Sequence, residues 1–330
     1  MSSASKVDGV LVQWGDRLFY PGIRIVRTEP TPRLNSKVQL HAAVIRRRIE
    51  LTVSKRAPQV MVKVTGGGRG MGAIAAHFRY ISKDGRLEFE DDRGVIHQGK
   101  EALRELAEQW RLGGSLIDES SPRREAFNLM LSMPRGTDAQ SVLQAAREFA
   151  RIELSDHRYV MVLHEHQANP HVHLSVRAES MSGERLNPRK ADLHRWRETF
   201  AERLRSRGIE AEATRQATRC EGRRPEDLWQ RKAREEGRLS MTDQPQKSGN
   251  SYQRSRNGAL EAWKQITQAL LNSDQAADQE LALRIAGFIN ESAFAKEHSQ
   301  QPGREVEPGR AARAVEPVVS RHAGERGIER

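Results

Sequence analysis

The alternation of apolar and polar residues in the middle of the chain predicts a domain of strands and helices. The period of two that is typical of a half-buried β-strand occurs in two segments, Gln59–Thr65 and His171–Val176, and two further apolar segments are strand candidates. These strands are predicted over Gln59–Thr65, Phe127–Met133, Arg158–Leu163 and His171–Val176, with a hairpin-like stretch over Arg86–His97. Apolar residues spaced three to four apart predict helices over Met71–Ser82, Lys100–Arg111, Ala139–Leu154 and Asp192–Arg207. Strand pairs that alternate with helices favour an α+β fold, in which helices flank a largely antiparallel central sheet.

Two segments of different composition flank this periodic region, so we divide the chain into three parts. Residues 1–56 hold 11 Lys and Arg against 4 Asp and Glu, and we expect an irregular basic arm with a strand or two and a short helix over Val38–Ile49. Such an arm either grips DNA or is a solvated extension, and the sequence leaves both readings open. Residues 57–240 form the predicted central domain. Residues 241–330 are expected to contain a Ser/Gln/Asn-rich linker, one or two small helices over Ala259–Phe294 and a disordered Arg/Glu-rich tail.

Charge and composition narrow the class of protein. Lys and Arg number 55 against 44 Asp and Glu, which gives a net charge of +11 and a pI near 10.1. This excess favours a polyanionic partner, with nucleic acid ahead of a membrane surface. Cys220 is the single cysteine, which excludes a disulfide scaffold and a cysteine-based zinc site. Because the chain has neither an apolar run of the ~18 residues that span a membrane nor the apolar stretch of a signal peptide, we expect a cytoplasmic protein without a membrane span.

A cluster of histidines is the sharpest chemical feature of the sequence. Four of the eleven histidines fall within ten residues, in the segment His164-Glu-His166-Gln-Ala-Asn-Pro-His171-Val-His173. In an extended strand His171 and His173 share one face, and aliphatic residues occupy the other face. His164 ends the preceding predicted strand, and the short connection can return it beside the other two. Single histidines are usually surface or hydrogen-bonded core residues, but three at this spacing favour a metal site with open coordination positions.

One of the four tyrosines lies in a segment whose residues could also take part in chemistry. Tyr80 is near the end of the helix that follows Gly66-Gly-Gly-Arg-Gly70. By itself, a tyrosine in an amphipathic helix most often packs its ring against the core. The glycine-rich turn could hold a phosphate through its backbone N–H groups. It lacks the Gly-Lys-Ser/Thr ending of a nucleotide-binding P-loop, which argues against ATP binding.

Taken in order, these segments resemble a known family. The strand, the triple-glycine turn, Tyr80-Ile-Ser-Lys-Asp-Gly85, the turn Met133-Pro-Arg-Gly-Thr-Asp138 and the motif His-x-His-x-x-x-Pro-His-x-His are similar to those of the HUH-type relaxases of conjugative and mobilisable plasmids. The likeness is closest to the subgroup that contains the T-DNA border endonuclease of Ti plasmids. It extends from about Gln59 to Pro225 and implies an HUH endonuclease-like fold.

The resemblance implies a metal-dependent enzyme that nicks one DNA strand at a plasmid transfer origin for conjugation. Tyr80 matches the family nucleophile, which attacks the scissile phosphodiester, keeps a 5′-phosphotyrosine link and releases a 3′-hydroxyl. The residues that match the ligands of a divalent ion, with Mg²⁺ or Mn²⁺ expected, are His164, His171 and His173. Relatives in this subgroup commonly have Asp where this chain has His166. His166, or the neighbouring Glu165, is therefore the expected base beside the nucleophile.

Basic residues around the proposed site would hold the single-stranded DNA. The candidates are Arg69, Arg79, Lys83, Arg86, Arg189 and Lys190. The resemblance also implies a relaxosome accessory protein and a type IV coupling protein as partners, with export through type IV secretion. Two alternatives stay open. One is a non-catalytic, metal-stabilised DNA-binding regulator, and the other is a replication initiator or transposase that uses the same HUH chemistry.

Overall fold

A computed structural model describes residues 3–20, 36–165, 168–222, 233, 236–238 and 249–295. The helices in these ranges are α1 (Ser3–Phe19), α2 (Ser36–Val53), α3 (Met71–Ile81), α4 (Lys100–Leu112), α5 (Ala139–Glu153), α6 (Lys190–Arg205), α7 (Asn250–Leu271) and α8 (Ala276–Glu291). The strands are β1 (Met61–Gly66), β2 (Phe89–Asp91), β3 (Ile96–His97), β4 (Ala126–Ser132), β5 (Tyr159–His164) and β6 (His171–Arg177). The predicted tail from Pro302 to Arg330 lies outside the described residues. None of the helices described is both long and apolar enough to cross a membrane.

The strands form one six-stranded sheet in the order β1-β4-β6-β5-β2-β3, and every neighbouring pair is antiparallel. The α+β class and the antiparallel sheet that the sequence predicts are therefore confirmed. Strands β2 and β3 pair as the expected hairpin. Strand β6 lies between β4 and β5, so both of its edges are hydrogen-bonded along its length.

Helices pack on both faces of the sheet, and the alternation along the strands determines which residues each face presents. On one face, α5 and α6 pack against Leu129 of β4 and Val172 of β6, with Phe149 and Trp196 at the centre of this core. On the other face, α3 and α4 form a second core with β5. Because Val172 points towards α5 and α6, its neighbours His171 and His173 point towards the α3 side.

The segment expected to be an irregular basic arm is largely helical, which corrects that prediction. Helix α1 occupies residues 3–19, and α2 extends the predicted short helix at both ends. Both helices pack with α7 and α8 into what we call the four-helix unit, around a core of Leu11, Ile45 and Trp263. Gly15 looks like a helix breaker, but a Cβ atom there would lie 2.5 Å from Cγ2 of Ile45. The glycine thus allows α1 and α2 to approach closely.

A buried ion network joins the four-helix unit to the sheet domain. Arg48 of α2 donates from Nη2 to Glu198 of α6 at 2.9 Å and to Glu212 at 2.8 Å. Burial would by itself lower the pKa of Arg48, but the two carboxylates outweigh that effect and raise it. Thr218 also donates to the carbonyl of Leu18 at 2.8 Å. The four-helix unit therefore packs directly on the sheet domain, and the division of the chain at residues 56 and 240 stays a prediction.

Candidate active site

Three histidine rings meet on the α3 side of the sheet. His164 ends β5 and lies directly opposite His171 of β6, and His173 lies two residues further along β6. The ring centroids are 4.7–5.1 Å apart. One nitrogen from each ring lies within 4.8 Å of the corresponding nitrogens of the other two. The register of β5 on β6 thus places three imidazoles around one point, as the sequence predicts.

Backbone carbonyls orient two of these rings. His171 has Nδ1 at 2.9 Å from the carbonyl oxygen of Asn169, and His164 has Nε2 at 2.6 Å from that of Ile81. A ring nitrogen that donates to a carbonyl determines the tautomer, and the neutral ring then presents its other nitrogen as an acceptor. Nδ1 of His173 is buried and has no hydrogen-bond partner in the described part of the chain. Such an arrangement of ring nitrogens fits a divalent ion.

Burial and the neighbouring rings keep His173 uncharged. Burial, followed by the proximity of His164, His171 and His77, lowers the pKa of His173 to about 3. His173 is therefore neutral at physiological pH, which is the form in which imidazole binds a metal. A cation held at this point would contact His173, whose ring does not readily take up a proton.

Tyr80 lies next to the histidine cluster. It belongs to the last turn of α3, which Phe78 and Ile81 anchor in the core on this face. The Tyr80 side chain is 70% exposed, and its ring centroid is 6.4 Å from that of His173. The tyrosine is thus not a core residue, and a substrate could reach its hydroxyl beside the histidines.

The family comparison identifies this region. Residues 80–209 match the family described as "Relaxase: MobA/VirD2-like, nuclease domain". The match begins at Tyr80 and includes the three histidines. This region is similar to HUH-type relaxases, and we call the sheet with helices α3 to α6 the relaxase domain. The "T-DNA border endonuclease VirD2" of Rhizobium radiobacter is 26% identical over 189 residues, which cover 51% of this chain and 44% of that protein. The chain therefore spans less than half the length of this relative.

His77 is a residue of the relaxase domain that the sequence analysis overlooked as a functional candidate. It lies one helical turn before Tyr80, and the two ring centroids are 6.3 Å apart. Its Nδ1 is 3.2 Å from Oγ of Ser175, which projects from β6 on the same face as the metal candidates. Burial lowers the pKa of His77 to about 4, so the ring is neutral. The spacing of three between His77 and Tyr80 was the available signal.

One of the two predicted bases, Glu165, lies where β5 ends. Glu165 is exposed and follows His164 directly, whereas His166 lies outside the described residues. Glu165 lines a cleft of about 620 Å³ together with Lys83 and Arg86. Because Gln140 of α5 and Met161 of β5 also line it, this cleft lies towards the α5 side of the sheet and not at the three histidines. Two of the predicted DNA-binding residues and one predicted base therefore border the same opening of the relaxase domain.

The remaining predicted DNA-binding residues lie on different sides of the relaxase domain. Arg79 is exposed on α3 next to Tyr80, and Arg69 is exposed in the turn before α3, where it donates to the carbonyl of Pro122 at 2.8 Å. Arg189 and Lys190 begin α6, which packs on the opposite face of the sheet from α3. The structure brings the first two to the histidine-bearing face but not the other two.

The glycine-rich turn has a packing role, which corrects the phosphate-binding interpretation. The N–H groups of Met71 and Gly72, at the start of α3, donate to the carbonyls of Asp118 and Glu119. Gly70 has a φ of +96°, and a Cβ atom there would lie 2.4 Å from the carbonyl oxygen of Glu119. The turn therefore packs against the loop that contains Asp118 and Glu119, and these N–H groups are not directed at a ligand.

Proposed function

We propose that the protein is a relaxase that nicks single-stranded DNA by tyrosine transesterification at Tyr80. One observation carries the proposal, which is the exposed Tyr80 ring at 6.4 Å from His173 in a cluster of three imidazoles. A nucleophile next to a candidate cation site is what displacement at a phosphodiester needs. The family match of residues 80–209 supports DNA nicking as the general activity.

The proposed reaction exchanges one phosphoester bond for another. The phenolic oxygen of Tyr80 bonds to the scissile phosphorus, and the bond from phosphorus to the 3′ oxygen breaks. The tyrosine proton leaves to a base, and the departing 3′ oxygen takes up a proton to give a 3′-hydroxyl. The 5′-phosphate stays on the tyrosine, so its ester bond is conserved for rejoining.

Residues around Tyr80 would orient the groups that react. His77 packs beside the tyrosine and is itself held by Ser175, so we assign it as a positioning residue. Glu165 is the described candidate for the base because it follows His164 and is exposed. His166 stays a candidate from the sequence alone.

The proposed cofactor is a divalent ion held by His164, His171 and His173. When bound, it would neutralise the negative charge that develops on the scissile phosphate. Imidazole nitrogens suit first-row transition ions better than Mg²⁺, which prefers oxygen ligands. Of the two ions expected from the sequence, Mn²⁺ therefore fits this donor set better.

The biological setting is also part of the proposal. The substrate would be a strand at a plasmid transfer origin, nicked in the cytoplasm for conjugative transfer, with residues 57–240 as the nicking domain. A relaxosome accessory protein and a type IV coupling protein would be its partners. The similarity to the T-DNA border endonuclease VirD2 supports this setting.

Covalent capture tests the proposal. The wild-type protein is incubated with Mn²⁺ and labelled single strands that tile the DNA flanking its own gene, and adducts are separated on a denaturing gel. We expect one sequence to give an adduct that Tyr80→Phe abolishes. Tyr252→Phe, in the four-helix unit, is the matched control and should keep the adduct. An adduct that survives in Tyr80→Phe contradicts the assignment, and sequence-specific binding without any adduct would favour the non-catalytic regulator.

A further inference from the structure

No helix among the described residues packs over part of the histidine-bearing sheet face. Helices α3 and α4 pack against β5 on this face. At the other side of β6, the strand β1 presents exposed side chains in alternation with buried ones. We call this area the open sheet face. Its residues are Met61, Lys63 and Thr65 of β1, with Asn128 and Met130 of β4.

Strand register connects the open sheet face to the candidate metal site. Lys63 pairs with Met130, and Met130 pairs with His173, so the three residues form one row across three strands. Neighbouring strands are about 4.8 Å apart, so the backbones of β1 and β6 are separated by about 10 Å. One nucleotide unit of an extended strand and one lysine side chain together can bridge this distance. A strand with its scissile phosphate at the histidines therefore brings an adjacent phosphate within reach of Lys63.

The charges on this face also favour contact between Lys63 and a DNA phosphate. Arg177 of β6 also lies on this side of the sheet, but it is buried and donates to the carbonyls of Trp110 and Gly113. Lys63 is exposed and makes no ion pair within the described ranges. Its ammonium group is thus a cation of this face that is available to an anionic ligand.

The apolar residues beside Lys63 suit a nucleobase. Met61 is 48% exposed although it lies on a strand beside the sheet core, and the half-buried Met130 lies one strand nearer to the histidines. Thioether side chains are flexible and contact aromatic rings favourably. A base placed here would cover methionine surface that is otherwise in water.

We propose that the open sheet face binds the nucleotide next to the scissile phosphate. Lys63 contacts one of the two phosphates that flank the scissile one, and Met61 and Met130 lie under the base. This inference rests on the proposed function, because it takes the scissile phosphate to lie at the three histidines. It adds to that function a determinant of strand position that lies outside the tyrosine and metal residues.

Binding measurements that combine a lysine substitution with modified DNA test the inference. Binding is measured by fluorescence anisotropy in the Tyr80→Phe background, so that no chemistry is needed, with strands that carry one neutral methylphosphonate at each position around the nick. We expect Lys63→Gln to weaken binding about three- to tenfold and to reduce the log–log salt slope by about 0.7. The neutral linkage at the contacted phosphate should weaken binding to the parent protein but have no further effect in Lys63→Gln. Lys264→Gln, an exposed lysine of the four-helix unit, should leave binding unchanged.

The outcomes separate this inference from the proposed function. If Lys63→Gln binds as tightly as the parent, or if every neutral linkage weakens both proteins equally, the open sheet face does not hold the neighbouring phosphate. The absence of any wild-type adduct would instead count against the proposed function. Melting temperatures of both lysine variants show whether they fold, and the effect of position along the strand distinguishes a specific contact from a general loss of charge.

Discussion

Replacement of Arg48 by methionine tests how the four-helix unit is attached to the relaxase domain. The guanidinium is inserted between Glu198 and Glu212, with Nη2 at 2.9 Å and 2.8 Å from their respective carboxylate oxygens. The Arg48 side chain is only 4% exposed, and that of Glu212 is fully buried. Methionine retains much of the aliphatic stem, so the substitution removes the charge with little change in packing.

The expected loss of stability is large because a buried carboxylate loses its main partner. Among the described cations, Glu212 would keep only Arg205, whose Nη1 is 3.5 Å from Oε1 of Glu212. Breaking a buried ion pair by removal of one partner costs about 3–5 kcal/mol. Burial already raises the pKa of Glu198, and the loss of Arg48 should raise it further. The mutant can then take up a proton as the pH falls, so the difference from wild type should be smaller at acidic pH.

Urea unfolding followed by tryptophan fluorescence measures this difference. Trp263 reports on the four-helix unit and Trp196 on the core beneath α6. Arg47→Met is the matched control, since Arg47 is the exposed neighbour on the same helix and should change stability by less than about 0.5 kcal/mol. A loss below about 1 kcal/mol for Arg48→Met at pH 7 would refute the reasoning, because the pair would then not be desolvated in solution.

Three further predictions concern the site and its supports. Mn²⁺ at about 100 times its Kd should stabilise the protein by about 2.7 kcal/mol, and a melting curve of His171→Ala should show no such gain. Burial lowers the pKa of His77 from 6.5 to about 4, so the unfolded state binds a proton at a higher pH than the folded state does. The free energy of unfolding should therefore fall as the pH drops from about 6.5 to about 4. Urea titrations of His77→Gln should show a shallower fall over the same pH range. Gly70→Ala should destabilise by more than about 2 kcal/mol because strain at positive φ adds to a clash with Glu119. Gly183→Ala, at φ +90° in open space, isolates the strain, and equal losses for the two glycines would contradict the clash.

The strands could be predicted from the sequence because the apolar residues of each strand indicate which of its side chains are buried. The period of two in β1 and β6 and the apolar runs of β4 and β5 appear directly in the order of residues. The order of strands in the sheet does not, since β1 pairs with β4 through residues that are 62 to 71 positions apart, and this pairing depends on how the segments pack. Helix α1 was missed for a similar reason. Gly15 lowers helix propensity locally, and only its contact with Ile45 of another helix explains it.

The same difference between local and long-range information applies to the site. His171 and His173 were predicted to share a face by alternation alone, and the geometry agrees. His77 was overlooked because its relation to Ser175 depends on how α3 lies across β6. Lys190 was chosen for its closeness in sequence to the histidine strand, but α6 crosses to the opposite face.

Strand register links the stability of the relaxase domain to its chemistry. Along β6 the fully buried Val172 and Leu174 alternate with His171 and His173. A slip of β6 by one residue would turn these histidines into the aliphatic core and the aliphatic residues towards Tyr80. Because β6 is paired on both edges, the burial that selects its register also selects the position of the imidazoles. The hydrophobic core therefore supports the site directly, and substitutions on the α5 side of β6 should alter ion binding even though they touch none of the imidazoles.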